Sequence, residues 1–244
     1  KETESLRRLR HPGIVRLLDA GWIRRQQPYL VMNLVDGPTL REALRSAPVS
    51  RPRARRWLLE LGEAVEAAHA QGVLHRDLKP ENVIVEGYDG PAERLVITDF
   101  GAAAVVDLGA RDASSIMLAS FHYMAPERVQ SRSSPASDIY SLAAVAFEML
   151  TGVRFATLAD GSESGLREAL VGLPGPAVTL LAAGLSYIPE NRPQSALELR
   201  ELSPLLFRVT SDVFDIGLLA TTAWTGTFLA TTSLRTAMRS SAGT

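Results

Sequence analysis

The stretch from Leu74 to Phe100 constrains this chain more than any other part. It opens Leu-His-Arg-Asp-Leu-Lys-Pro-Glu-Asn, which sets Asp77, Lys79 and Asn82 within six positions. Two apolar runs follow, Val83-Ile84-Val85 and Leu95-Val96-Ile97, with a turn from Gly87 to Pro91 between them. Short apolar runs around such a turn predict a hairpin. A hairpin returns its end to its beginning, so Asp99, twenty-two residues after Asp77, is expected near Asp77 and Asn82. His75 follows apolar Leu74, which starts the polar loop in the core, and Pro80 stiffens it.

The grouped residues suit one chemistry. Oxygen atoms from Asn82 and Asp99 are what a hard Mg²⁺ ion takes, and Mg²⁺ commonly arrives with triphosphate oxygens. Lys79 can neutralise a moving phosphoryl group, and Asp77 can accept the proton of an incoming hydroxyl. Residues of opposite sign then share one loop because the work is positioning and charge neutralisation.

The flanking sequence predicts an α+β arrangement in which helices dominate the second part. A helix over the first residues should stop before His11-Pro12-Gly13. Ile14 to Ile23 and Tyr29 to Val35 are expected to form an antiparallel pair. Thr39-Leu40-Arg41-Glu42 has the capping-box pattern of a helix start. Residues 52 to 70 carry an amphipathic stripe of Ala54, Trp57, Leu58, Leu61, Val65 and Ala68, with Gly72 as a stop. Further helices are expected at Ser137 to Leu150 and near 177–186 and 194–202, with a long loop over 102–124. Arg41, Arg45, Arg51, Arg53, Arg55 and Arg56 read as a solvated helix face, the alternative being a surface for an acidic partner.

The net charge of −1 sets up no field favouring nucleic acid. No cysteine is present, which excludes disulfides and suits a reducing, cytoplasmic compartment. Residues 216 to 234 are uncharged over 19 positions, the length of a membrane span, yet rich in Thr and Gly. They are read either as a weak anchor for a cytoplasmic domain or as a loose tail.

With these residues in hand, His75-Arg76-Asp77-Leu78-Lys79-Pro80-Glu81-Asn82 resembles the catalytic loop of the protein kinase family. Asp99-Phe100-Gly101 resembles its metal-binding triplet and Ala125-Pro126-Glu127 its substrate-loop anchor, all in the family's order. The resemblance, to a bacterial-type Ser/Thr kinase, implies ATP and Mg²⁺ as cofactors and proteins as substrates. It also implies a partial β-rich N-lobe over 1–35, a mainly helical C-lobe over 36–206 and a tail over 207–244. By position Glu2 matches the helix-C glutamate. Met32 matches the gatekeeper and Asn33 to Val35 the adenine-binding hinge. Leu6, Leu17, His75 and Phe100 match the regulatory spine.

Lys79, two places after Asp77, is the Ser/Thr form of the loop. Ser120 matches the hydroxyl residue that bonds the catalytic Asp and Lys, although Ala119-Ser120-Phe121-His122-Tyr123-Met124 departs from the family's Gly-Thr-Pro pattern. His122 reads as a loop residue. Arg76 is the arginine that in the family meets a phosphate on the activation loop. Ser114 is the expected acceptor and Ser115 its fallback, each supplying about −2 charge when phosphorylated. Glu127 and Arg192 match a structural ion pair, and Asp138 the acid that holds the catalytic loop's backbone.

The glycine-rich loop and the strand lysine of the family are not in the sequence, whose only lysines are Lys1 and Lys79. Two explanations stand. The chain is an N-terminally incomplete piece, poorly active as it is, or it is a pseudokinase that acts as a protein-binding module. A small-molecule kinase of related fold is a third class, against which Ala125-Pro126-Glu127 speaks.

Overall fold

The computed structural model describes residues 2–24, 27–100, 122–130, 133–155 and 170–198. The first helix, α1 (Glu2–Arg8), ends ahead of His11-Pro12 and buries Leu6 and Leu9. Strands β1 (Leu17–Ile23) and β2 (Gln27–Met32) form an antiparallel pair, with Ala20 opposite Leu30 and Ile23 opposite Gln27.

This pair is shorter at its open end than Ile14 to Ile23 and Tyr29 to Val35 suggest. The Val15 N–H donates to the Ile97 carbonyl, and the Ile97 N–H to the Gly13 carbonyl, each at 2.9 Å. Residues 13 to 15 therefore bond to the later hairpin instead of β2. Beyond Met32 only the Asn33 N–H continues the pairing, onto the Arg16 carbonyl at 3.0 Å. The chain then turns at Gly37, whose φ is +148°, where a Cβ would stand 2.2 Å from the Val85 carbonyl oxygen. Only a glycine lets the two backbones come this close.

Helix α2 (Leu40–Ser46) starts with the expected capping box. The Glu42 N–H donates to Thr39 Oγ1 at 3.2 Å, and the Thr39 N–H to Glu42 Oε2 at 2.8 Å. Helix α3 (Arg51–His69) buries every residue of its predicted stripe. It packs on β4 (Arg94–Ile97), which pairs antiparallel with β3 (Val83–Glu86), and on α4 (Pro135–Thr151). Gly152 ends α4 in the left-handed conformation, φ 69°, the usual glycine stop. Helix α5 (Gly175–Gly184) packs on α4.

Residues 194–198 form a bend and a turn, and the rest of the helix expected near 194–202 lies outside the described residues. Ser195 Oγ and the Ala196 N–H both donate to Glu66 Oε2, at 2.7 and 3.1 Å, and the Leu197 N–H donates to Ser195 Oγ at 3.1 Å. The Ala196 and Leu197 N–H groups are thus satisfied by side-chain oxygens, as such groups are at a helix start.

Arg45, Arg51, Arg55 and Arg56 are exposed, as a solvated face requires, whereas Arg41 is buried and Arg53 half-buried. Arg41 is 6% exposed. Arg53 lies 4.7 Å over the Trp57 ring and 4.9 Å over the Tyr88 ring, and donates from Nε to Glu93 at 3.0 Å. Arg56 and the Trp57 indole N–H reach the same carboxylate. Burial acts to raise the Glu93 carboxyl, but the Arg53 and Arg56 guanidinium groups hold it below the usual range. Glu93→Ala would strand these donors at the foot of the hairpin. It should cost about 2–4 kcal/mol, read as a lower urea midpoint with unchanged slope.

Candidate active site

After α3 the chain reverses at Gly72, φ +70°, and enters the core, where Val73 and His75 are fully buried. The His75 ring accepts the Asp77 N–H at Nδ1, 3.2 Å away, and its Nε2 lies 2.9 Å from the Thr98 carbonyl oxygen. A carbonyl only accepts, so the proton is on Nε2. Burial holds the imidazole below its ordinary pKa, which keeps this neutral tautomer.

Arg76 is in the left-handed region, φ 69°, an uncommon state for a residue with a long side chain. Asp138, at the start of α4, fixes that turn from below. Its Oδ2 accepts the His75 N–H and its Oδ1 the Arg76 N–H, both at 2.8 Å. His69 Nε2 donates to Oδ2 at 2.9 Å. The sequence pattern did not single out His69; it sits on the last turn of α3, where a histidine reads as ordinary.

The turn delivers three side chains to one spot. Lys79 Nζ donates to Asp77 Oδ2 at 2.7 Å, and Asn82 Nδ2 donates to the same oxygen at 3.1 Å and to the Asp77 carbonyl at 2.8 Å. Asp99 follows from strand register. Val83 pairs with Ile97, and the Thr98 N–H donates to the Asn82 carbonyl at 2.9 Å. Asp99 is the next residue, left-handed at φ 60°, a conformation that aspartate tolerates better than most. Asp138, Asp77 and Asp99 all lie near enough to act on the His75 ring.

Asn82 and Asp99 carry oxygens of the type that could hold a Mg²⁺ ion. The Asn82 amide nitrogen is spent on Asp77, which leaves the amide oxygen for a cation. Among the described residues no group of three or more His, Cys, Asp or Glu side chains could cage a metal. Two protein oxygens suit Mg²⁺, which keeps waters and takes phosphate oxygens for its other positions.

Phe100 meets His75 edge-on, ring centroids 4.6 Å apart, and lines one apolar recess with Leu6, Leu17 and Met32. The structure thus groups Leu6, Leu17, Phe100 and His75. Asn33, Leu34 and Val35 line a cavity of about 440 Å³ with Arg10, His11 and Val96; Asp77, Asn82 and Asp99 are not among its lining residues. Glu127 and Arg192 meet bidentately, Nη1 to Oε1 at 2.7 Å and Nη2 to Oε2 at 2.8 Å. Gly101, Ser114, Ser115, Ser120 and the segment 216–234 lie outside the described residues, as does the Glu2 side chain, although Glu2 opens α1. No helix among the described residues is long and apolar enough to cross a membrane.

The family model described as protein kinase domain matches residues 1–171. The chain belongs to the protein kinase family. It is 36% identical over 154 residues to a probable serine/threonine-protein kinase PknB of Lactococcus lactis, across 62% of this chain and 24% of that one. It is 36% identical over 159 residues to the serine/threonine-protein kinase PknA of Mycobacterium tuberculosis, across 63% and 36%. To PknJ of Mycobacterium bovis, also a serine/threonine-protein kinase, it is 33% identical over 188 residues, across 76% and 32%. The chain thus spans from about a quarter to about a third of the length of these relatives. The two short sheets and the helices around them are a partial α+β arrangement of this kinase family.

One group in this kinase domain was missed by motif reasoning. Arg41, Glu81, Tyr123 and Glu148 converge beside the turn Pro80–Asn82, with Arg41, Tyr123 and Glu148 buried. The available signal was Glu148, the only charged residue between Ile139 and Leu150.

Proposed function

We propose that this domain transfers the γ-phosphoryl group of ATP to serine or threonine hydroxyls of proteins. The observation that carries the reading is Asp77 Oδ2, held at 2.7 Å from Lys79 Nζ and 3.1 Å from Asn82 Nδ2 at the mouth of the hairpin that leads to Asp99. Asp77, partly exposed, orients the incoming hydroxyl and takes its proton. Lys79 stands where negative charge grows on the phosphoryl oxygens. Mg²⁺ on Asn82 and Asp99 would supply charge neutralisation for the triphosphate.

Lys79 beside Asp77, and the names of the relatives, support hydroxyl acceptors of the Ser/Thr type. Adenine would bond the backbone of Asn33 to Val35 next to Met32, with Glu2 on the phosphate side. Ser120 would join Asp77 and Lys79, and phosphate on Ser114, or failing that Ser115, would meet Arg76. Glu127 with Arg192, and Asp138, would hold the frame. A domain that uses ATP would work on the cytoplasmic side.

The full-length protein, given γ-labelled ATP, Mg²⁺ and casein, should label serine or threonine. Asp99→Asn should lower the rate at least about 100-fold, and chelation of Mg²⁺ should stop it. Binding of protein partners with no labelled product and no nucleotide-dependent stabilisation would assign a pseudokinase role instead.

A further inference from the structure

We propose that the cavity walled by the end of α1, residues 33–35 and the β3–β4 hairpin binds a small organic anion, a phosphate or carboxylate on an apolar body, at a site separate from the nucleotide. The inference goes beyond the phosphotransfer reading and does not depend on it.

Size and charge both select the ligand. The cavity holds about 440 Å³, within the range of about 300–1,000 Å³ usual for small-molecule sites. Arg10, Arg16 and Arg94 line it against one carboxylate, Glu86. Glu86 is already paired with Arg94, so Arg10 and Arg16 are the surplus. Arg10 donates from Nη1 to the Arg7 and Leu9 carbonyls, at 2.6 and 2.9 Å, which anchors it on the end of α1. Those carbonyls carry no net charge to cancel its own. Arg16 is exposed. Among the described residues neither arginine has a carboxylate partner. Burial holds His11 below the ordinary imidazole pKa, against the pull of Glu63, so the surplus at neutral pH is carried by the guanidinium groups. A recess lined by an excess of one sign concentrates the opposite sign, and a guanidinium takes phosphate or carboxylate through paired N–H donors.

The rest of the lining asks for an apolar body. Ile14, Val15 and Val96 are buried and supply the apolar part of the wall. Leu34, 96% exposed, lines the same cavity and would be covered by such a body. The walls also separate this site from the phosphotransfer centre. Adenine would bond the backbone of Asn33 to Val35, but the other walls are the end of α1 with the corner after it and the hairpin residues Glu86, Arg94 and Val96. None of Asp77, Lys79, Asn82 and Asp99 is among the lining residues.

Phenyl phosphate, benzoate and neutral benzamide are the probes, titrated calorimetrically into the full-length protein. Both anions should saturate, and benzamide should bind at least about tenfold more weakly. Whichever anion binds tighter tells phosphate from carboxylate, and either order supports the site. Arg16→Gln should weaken the tighter anion about tenfold, the loss of one charge-assisted contact. Glu86→Gln should act in the opposite sense and tighten it about threefold. A damaged fold does not tighten binding, so the two variants together separate charge from structural loss. Saturating Mg-ADP should leave the affinity within about twofold. No saturation by either anion at about 10 mM, unchanged affinity in Arg16→Gln, or competition by Mg-ADP would overturn the site, and benzamide binding as tightly as the anions would overturn its anionic class. A protein that binds the anion but transfers no phosphate overturns the phosphotransfer reading alone.

Discussion

Asp77→Asn should lower the phosphotransfer rate about 1,000-fold, within the range for a positioned general base, while ATP still stabilises the protein to heat. The substitution is nearly isosteric. Asp77 is about one-third exposed, so its oxygen can still accept from Lys79 Nζ, now at 2.7 Å, at little cost to folding. What changes is basicity: an amide cannot take the proton of an attacking hydroxyl. The measurement pairs single-turnover transfer with a thermal shift in Mg-ATP. Retention of more than about a tenth of the rate would remove Asp77 from the base role, and loss of the ATP shift would mean that the charge serves binding instead.

Asp138→Ala should unfold the domain's centre more than any other single truncation at the site. The carboxylate is almost wholly buried and accepts from the His75 N–H, the Arg76 N–H and His69. Alanine would leave these donors without an acceptor and free Arg76 from its left-handed turn. Losing one partner of a buried charged network costs about 3–5 kcal/mol, here a fall in Tm of about 10 °C.

The same carboxylate sets an acid limit. Burial acts to raise its pKa, but the hydrogen bonds from His69 and Arg76 and the nearby His75 hold it below the ordinary Asp value of 3.8. A depressed carboxyl stabilises the fold above its unfolded pKa and loses that contribution as pH falls through the folded one. The contribution should therefore be complete at neutral pH and vanish below pH 3.8. A pH series of denaturant midpoints on wild-type and Asp138→Asn checks it: the acid-side slope should be shallower in the variant.

Local pattern made much of this visible. The stripe of α3 and the two apolar runs of the hairpin are periodic, so side-chain spacing predicts their burial. Asp77, Lys79 and Asn82 are close in sequence, and Asp99 is one hairpin away. Arg41 and Arg53 depart from the solvated face that the rest of the stretch forms because their partners are distant: Arg53 meets Glu93 forty residues on, and Arg41 meets Glu148 after 107. Charge in a polar stretch carries no sign of such a partner. The N-terminal strand pair is shorter than its apolar runs for a related reason. Ile14 is apolar enough for β1, yet its neighbours' backbone bonds go to Ile97, a choice made by tertiary packing.

That backbone seam sets where motion can be tolerated. Residues 13 to 15 and Ile97 exchange two hydrogen bonds, two positions before Asp99. Any swing of β1 and β2 against α3 and α4 would turn about this junction, as a door turns about its pin. Points on a pin travel least, so the acid beside it would keep its station while the far rim of the cleft sweeps open and shut.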